Sequence, residues 1–373
     1  MSHFEIKRDE PLKPFTTFKV GGPAKFFASV ATRDEFLEAL RFAREERLPI
    51  FLLGGGSNIL VSDDGFPGLV IHPVQTGIAI EPAGAEKVTL RIEAGETWDE
   101  VVRRAVEEGF WKIENLSHIP GQAGAALVQN IGAYGQQISD VLDSATIMEV
   151  GSGNVRRLGP RECGFGYRQS IFNTSARNEF IILQLGLRLD RRGKPDLRYP
   201  DMRRYFIELG IEDPSIQQVR EAIIRIRDRK FPFPREEKGG NAGSFFKNLV
   251  LNDADFELLR SNLQKNFPAE ACERLEQIRR RSASAESVKI PTAFLIEICG
   301  LKGHREGGAR VNETQPLVLL NDGGATAHDV LTLAGCVRRT VYRRTGMTIH
   351  LEPERVGFRP DEVEKYPASG RMK

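Results

Sequence analysis

The chain has 373 residues, 40% hydrophobic and 28% charged, with 53 Lys and Arg against 51 Asp and Glu and a formal charge of +2. This size and composition predict two or three globular domains whose core needs neither disulfides nor structural metal. Balanced charge excludes a global electrostatic drive toward nucleic acid or membrane surfaces, and no run of about 18 apolar residues is present to cross a bilayer. The start, Met1 to Lys7, is polar and lacks the apolar stretch of a signal peptide. Cys163, Cys272, Cys299 and Cys336 are scattered, with no Cys-x-x-Cys pair. They read as reduced thiols in a cytoplasmic protein, and no metal site is expected.

Strand-like and helical segments alternate through the first third. Lys25–Val30 and Ile50–Leu53 read as strands; between them Thr32-x-x-Glu35 has capping-box spacing, with Phe36, Leu37, Leu40 and Ala43 on one helix face. Val88–Ile92 alternates like a half-buried strand. Thr97-x-x-Glu100 then predicts a second capping box, over a helix carrying Val101, Val102, Ala105 and Val106 and ending at Gly109. Further strands are expected at Ala145–Val150 and Phe180–Leu189. Ser215-x-x-Gln218 opens a helix that Pro232 and Pro234 must end. Beyond about residue 235 a glycine-rich loop precedes helices over Asp253–Gln264, Ala269–Arg281, Ala293–Cys299 and about His328–Arg344. The pattern is mixed α/β, with breaks near residues 75 and 232.

Four segments carry more glycine and polar residues than folding requires. Gly54-Gly55-Gly56-Ser57-Asn58 follows a strand directly, and its successive N–H groups suit either a plain turn or a concave anion site. It matches neither Gly-x-Gly-x-x-Gly nor the Walker pattern. Ile119 to Gly135 mixes small residues, amides and Tyr134. Close helix packing is one reading, but Gly124, Gly132 and Gly135 would weaken a purely structural helix and favour ligand contact.

In Phe165-Gly166-Tyr167-Arg168-Gln169-Ser170 an arginine lies among aromatic and glycine residues, where a guanidinium commonly pairs with an anion. Gly239 to Asn248 holds Ser244 between glycines and the apolar pair Phe245-Phe246. With no Gly-x-Ser-x-Gly elbow and no His and Asp partners in view, a hydrolase nucleophile is disfavoured, whereas a proton donor to carbon is compatible. His350-Leu351-Glu352-Pro353-Glu354 would put two acids on one strand face, solvated or functional.

In this order, Gly-Gly-Gly-Ser-Asn, Ile-Pro-Gly…Gln-Asn-Ile-Gly-Ala-Tyr-Gly, Phe-Gly-Tyr-Arg-x-Ser and Gly-Ser-Phe-Phe-Lys-Asn resemble the UDP-N-acetylenolpyruvoylglucosamine reductase family. The likeness runs from Thr16-Thr17-Phe18 to Leu351-Glu352-Pro353-Glu354. It implies an α/β (α+β) chain: a two-subdomain FAD-binding fold of the vanillyl-alcohol-oxidase type plus a C-terminal α/β substrate-binding domain. The implied division is residues 1–75 with 350–373 folding back, then 76–232, then 233–349.

The resemblance further implies non-covalent FAD at Gly54, Gly55, Gly56, Ser57, Asn58, Pro120, Gly121, Gly124, Gln129, Asn130, Gly132, Ala133 and Tyr134. It makes Arg168, Ser244 and Glu354 the catalytic positions and Tyr199 the residue covering the substrate, in the form of the family that has this tyrosine loop. Lys230, Asn248 and Gln315 would hold the UDP diphosphate. NADPH would be the reductant and UDP-N-acetylglucosamine enolpyruvate the substrate, in peptidoglycan precursor synthesis by a cytoplasmic monomer. Two departures are visible: Leu249 follows Asn248 where the family often has Pro, and Asp201 follows Pro200 where it usually has Gly. Two rivals stay open, another flavin oxidoreductase of the same fold, such as an alcohol oxidase, and a nucleotide-sugar-binding regulatory protein.

Overall fold

Thr32 opens the first helix as its spacing requires. Its hydroxyl accepts from the Glu35 amide at 3.3 Å, and the Glu35 carboxylate accepts from the Thr32 N–H at 3.2 Å. The closed box starts helix Arg33–Glu45, which buries Phe36, Ala39, Leu40 and Ala43. This is a computed structural model, and it describes residues 4–230, 238–282 and 287–359. The chain forms two compact units: Met1–Glu10, Ala24–Gly56 and Pro67–Arg229 make the first, and Pro11–Pro23, Ser57–Phe66 and Lys230–Lys373 the second. The proline stop at Pro232 and Pro234 and residues 360–373 of the expected fold-back lie outside the described residues.

The first unit contains two sheets. One has the order Ile6–Pro11, Pro23–Val30, Phe66–Pro73, Ile50–Leu52, its last pair parallel. The other is antiparallel, in the order Val155–Leu158, Leu142–Glu149, Phe180–Asp190, Lys87–Glu93, Ile78–Pro82. Val88, Leu90 and Ile92 alternate with less buried neighbours except at Thr89, and pack with Val101, Val102, Ala105 and Val106 of helix Trp98–Glu107.

One expected detail of that helix is different. Thr97 is its N-cap, but the Thr97 side chain makes no cap bond. Arg103 engages the Glu100 carboxylate instead, and Thr97 bridges to Gln122 through the backbone. An ion pair one turn further in thus outcompetes the capping box. Gly109, at φ +74°, does follow the helix end as expected.

The second unit has its own core, including Phe18, Val20, Leu60, Phe245, Phe246, Phe256, Leu259, Leu295, Val337 and Val341. Helices Asp253–Asn266, Ala269–Ser282, Thr292–Ile298 and Ala327–Thr345 belong to it. So does a three-stranded antiparallel sheet, Arg305–Glu306, Ala309–Val311 and Leu319–Asn321. Two stretches distant in sequence, Ile59–Val61 and Glu354–Val356, pair in parallel. The expected strand over His350–Glu354 is interrupted: Leu351 makes an isolated bridge and the regular strand begins at Glu354. Pro353 lies between them and has no N–H to give a ladder.

In the first unit, Asp99 ties helix Trp98–Glu107 to helix Ile216–Lys230 through two bonds from Arg220, at 2.7 and 2.8 Å. Burial pushes the Asp99 carboxyl up, but the Arg220 bonds and the His118 amide outweigh it and hold the group below the usual carboxylate range. A depressed folded pKa stabilises above the unfolded value of ~3.9, and the gain disappears as pH falls through the folded value. Asp99→Asn is therefore expected to cost about 1.5–3 kcal/mol at pH 7. The gap between parent and variant should close below about pH 4 in a series of urea denaturation curves.

Candidate active site

In the first unit, the two glycine-rich segments meet backbone to backbone. A Cβ placed on Gly55 would lie 2.5 Å from Gly121 Cα, and one on Gly54 would lie 2.6 Å from Ala125 Cβ. Only glycine permits this approach. Gly56 (φ +58°) and Gly121 (φ +124°) are also left-handed. Among the described residues, the amides of Gly54, Gly55 and Gly121 make no hydrogen bond within the chain, and the three glycines are half-buried. The Gln122 side-chain oxygen is buried with no partner, although its Nε2 donates to Pro73 O at 2.9 Å. Open donors on converging backbones suit an anion such as a dinucleotide diphosphate, so these residues fit FAD.

The Asp99–Arg220 pair braces this cradle. Asp99 accepts from the His118 amide at 2.5 Å, and Arg227 Nε donates to the His118 carbonyl at 2.9 Å. His118, left-handed at φ +60°, is thereby fixed two residues ahead of Pro120. Asn130 is left-handed too (φ +46°), and its side chain is engaged at both ends. Nδ2 donates to Gly166 O at 3.1 Å and Oδ1 accepts from Ser139 N at 3.1 Å. Its side chain thus joins the second glycine-rich segment to the loop that carries Arg168.

That loop is a tight two-residue turn. Gly166 and Gln169 exchange both backbone bonds, at 3.0 and 3.2 Å, leaving Tyr167 and Arg168 at the tip with Arg168 at φ +56°. Ser170 Oγ anchors the turn by donating to Val128 O at 2.5 Å. Asn130, Tyr134 and Arg168 are thus three non-glycine residues held left-handed at positions singled out from sequence. Such strain persists where the surroundings over-determine it. Tyr134 (φ +48°) is held by the fully buried Asn115, whose Nδ2 donates to the Tyr134 carbonyl at 2.9 Å.

The Tyr134 ring packs edge-on against Tyr199, with centroids 5.0 Å apart. Burial pushes the Tyr134 hydroxyl up to about 12 and raises Tyr199 as well, so both remain neutral hydrogen-bonding phenols at physiological pH. Tyr199 precedes helix Pro200–Glu208, whose first position is the proline itself. A proline at that position is already shaped for the first turn, which defines where Tyr199 leaves the backbone. Gln129 caps the short helix Ala123–Val128, and Gly132 and Ala133 form a two-residue strand.

In the second unit, Ser244 stands on a loop gripped from several sides. Asn241 N donates to Thr17 O at 2.9 Å, and Thr17 Oγ1 donates to Asn241 O at 2.6 Å. The Asn241 side chain accepts from Gly243 N at 3.0 Å, shaping the left-handed Gly243 (φ +68°) just before the serine. After it, Phe245 N donates to Leu317 O at 2.7 Å, and Phe245 O accepts from Glu352 N at 3.0 Å. Ser244 is half-buried between Ala242 and the fully buried Phe245 and Phe246. Among the described residues, its hydroxyl makes no hydrogen bond. A hydroxyl on so rigid a loop is left available to a ligand.

The other expected residues of this unit gather around the same framework. Glu354 N donates to Asn58 O at 2.9 Å, which places Glu354 beside the Ser57–Asn58 end of the first glycine segment. The Lys230 carbonyl accepts from Asn312 Nδ2 at 2.9 Å and Thr314 Oγ1 at 2.7 Å, docking Lys230 on the loop that carries Gln315. Asn248 Oδ1 accepts from Thr292 N at 3.1 Å. Leu249, which replaces the family's usual proline, opens strand Leu249–Leu251 and pairs with Ile290, so ladder bonding fixes the chain there instead of a ring. Within the units, therefore, Arg168, Tyr134, Tyr199 and the glycine cradle form one set, and Ser244, Glu354, Lys230, Asn248 and Gln315 another.

The cradle and sheets of the first unit define an FAD-dependent oxidoreductase with a separate C-terminal domain. An FAD-binding domain family matches residues 24–159, and the C-terminal domain of UDP-N-acetylenolpyruvoylglucosamine reductase matches residues 234–356. The chain is 38% identical to the UDP-N-acetylenolpyruvoylglucosamine reductase of Pseudomonas fluorescens strain Pf-5, over 94% of this chain and 98% of that one. It is 36% identical to that of Flavobacterium johnsoniae, over 93% and 98% of the two chains. The crystal structure of the Thermus caldophilus reductase superposes with a TM-score of 0.63 at 25% identity, covering 95% of this chain and 100% of that one. The chain belongs to the UDP-N-acetylenolpyruvoylglucosamine reductase family. The expected fold class holds, and no described helix is long and apolar enough to cross a membrane.

Nothing in the sequence singled out Thr17, Asn115, Asp99 or Arg220 for a role, yet Asn115 holds Tyr134 directly and the others brace the segments that carry proposed site residues. Thr17 lay in the Thr16-Thr17-Phe18 run that marks one end of the resemblance, and that was its only signal. The close Gly55–Gly121 contact carries a prediction of its own. Gly55→Ala forces its methyl onto backbone that cannot rotate away, at a cost of about 1–3 kcal/mol. FAD retention should weaken by roughly 5–150-fold, while Gly151→Ala, with nothing within 4 Å of its Cβ position and no left-handed backbone, should keep its flavin. Flavin-to-protein absorbance ratios after exhaustive dialysis give the comparison.

Proposed function

We propose that this chain reduces the enolpyruvyl group of UDP-N-acetylglucosamine enolpyruvate to UDP-N-acetylmuramate, with NADPH as the reductant, as a step of peptidoglycan precursor synthesis. The observation that carries the reading is the Ser244 hydroxyl, which makes no hydrogen bond among the described residues, on a loop clamped at both ends. The two relatives' shared name supplies the reaction class. FAD, held non-covalently by the glycine segments, would supply the chemistry that carries hydride from NADPH to the terminal carbon of the enol ether.

Hydride addition at that carbon pushes charge onto its neighbour and the attached carboxylate, an enolate-like state. Arg168 meets the growing charge with its planar guanidinium, and Glu354 donates a carboxyl hydrogen bond to the same carboxylate. Ser244 delivers the proton to the second carbon. A serine hydroxyl is a weak acid, so it acts only on a strongly basic carbon held close and shielded from water. Phe245 and Phe246, both fully buried beside it, support that shielding.

Lys230, Asn248 and Gln315 take the diphosphate, and Tyr199 closes over the bound substrate. The glycine segments hold FAD through their main chain, while Asn130 positions the Arg168 turn through its side chain. Residues 1–75 and 76–232 are the two flavin subdomains in this reading, and 233–349 the substrate domain. The test is the visible spectrum of the purified protein: flavin bands that NADPH bleaches without oxygen support the reading. A colourless protein that cannot be reconstituted with FAD, or bands that NADPH leaves unchanged, would overturn it.

A further inference from the structure

The second unit brings together a nitrogen, an oxygen and a sulfur donor outside the residues assigned to flavin or substrate. His304 immediately precedes strand Arg305–Glu306, which forms a hairpin with Ala309–Val311, and its carbonyl accepts from Val311 N at 2.9 Å, so it continues the arm that carries Glu306. Residues two apart on an extended arm share a face. Cys336 lies on helix Ala327–Thr345, and all three donor atoms fall within 4.8 Å of one another. His304 Nε2 is 3.5 Å from Cys336 Sγ and 3.6 Å from Glu306 Oε1.

The two separations at His304 match a tetrahedral cation. With bonds of ~2.3 Å to sulfur and ~2.0–2.1 Å to nitrogen and oxygen, ideal angles hold sulfur and nitrogen about 3.5 Å apart and nitrogen and oxygen about 3.4 Å apart. Ordinary hydrogen bonding accounts for the cluster less well. One imidazole nitrogen carries a single N–H or a single lone pair, so it makes one good bond and not two. The surrounding charges also leave Glu306 available. Arg305 and Arg310, on the same hairpin, are both committed to Asp322, and among the described residues Glu306 pairs with no Lys or Arg.

We propose that His304, Glu306 and Cys336 form a binding site for a zinc-class divalent cation, with a water in the fourth position. Thiolate, imidazole and carboxylate suit zinc better than magnesium or calcium, and the two anionic ligands neutralise its charge. Binding releases the thiol proton of Cys336. It also fastens the hairpin arm to helix Ala327–Thr345. Sequence spacing did not show the site, because the cysteine is far from the other two ligands and no Cys-x-x-Cys or His-x-x-His pattern marks it.

The test titrates zinc chloride into chelator-treated, flavin-loaded protein by calorimetry, with a non-thiol reductant. One equivalent should bind, and Cys336→Ser or His304→Gln should weaken it by at least ~100-fold, beyond the 10–100-fold typical of outer-shell changes. Glu306→Gln should weaken it less, and Cys272→Ser should not change it. Flavin absorbance and circular dichroism report whether each variant folds. Should a variant fail to fold, mass spectrometry on the unaltered protein decides: zinc must slow iodoacetamide labelling of Cys336 and leave Cys272 unaffected. No binding up to about 100 µM free zinc, binding unchanged in folded Cys336→Ser, or equal labelling of the two cysteines would overturn the site.

Discussion

Ser244→Ala is expected to leave flavin reduction by NADPH close to its parent rate while slowing flavin reoxidation by the enolpyruvyl substrate by ~10²–10⁴-fold, the usual contribution of a positioned general acid. The structure makes this a clean substitution. The hydroxyl takes part in no hydrogen bond among the described residues, so its loss leaves no buried partner unsatisfied. The loop keeps its shape through the Thr17, Leu317 and Glu352 backbone bonds, none of which involves the Ser244 side chain. Stopped-flow absorbance at the flavin band separates the two half-reactions. A loss shared equally between them, or an effect of only about twofold, would remove Ser244 from the role of proton donor.

Arg168→Ala is expected to reduce kcat by ~10²–10³-fold, as when one preorganised donor to a developing oxyanion is deleted. KM should change little, because the guanidinium is needed most once charge has moved onto the substrate carboxylate. The left-handed turn at φ +56° aims the side chain; Gly166 and Gln169 hold that turn through their backbones, and Ser170 and Asn130 through their side chains. Arg168→Lys should fall between parent and alanine, since an ammonium keeps the charge but loses the planar two-pronged contact. A rise in KM with kcat intact in steady-state assays would mean that Arg168 only binds substrate and does not meet the transition state.

Much of the local structure was legible in the sequence because it is decided within a few residues. The Thr32–Glu35 and Ser215–Gln218 boxes form as their spacing predicts, and Gly109 follows its helix in a left-handed conformation. Thr97–Glu100 has the same pattern and fails, because Arg103 takes the glutamate and the Thr97 N–H donates to Glu96 Oε1 at 2.9 Å. Nothing in the four-residue pattern encodes that competition. The His350–Glu354 strand was foreseen in place but not in its interruption on either side of Pro353.

The site residues stood out as types, glycines, a lone hydroxyl and an arginine among aromatics, and not as a geometry. What makes Gly55 irreplaceable is the backbone at Gly121. The grip on Ser244 comes from Thr17 and Leu317. Such contacts between remote segments depend on tertiary packing, which spacing within one segment does not specify. His304 and Cys336 show the same limit on the surface of the second unit.

The central claim is that this flavoprotein passes hydride to an enolpyruvyl nucleotide sugar, and anaerobic reoxidation tests it most directly. The protein is reduced with one equivalent of NADPH, then mixed with UDP-N-acetylglucosamine enolpyruvate under argon. The account predicts full return of the oxidised flavin spectrum with one UDP-N-acetylmuramate formed per flavin. A flavin that stays reduced with this substrate, yet reoxidises on admission of air, would contradict it.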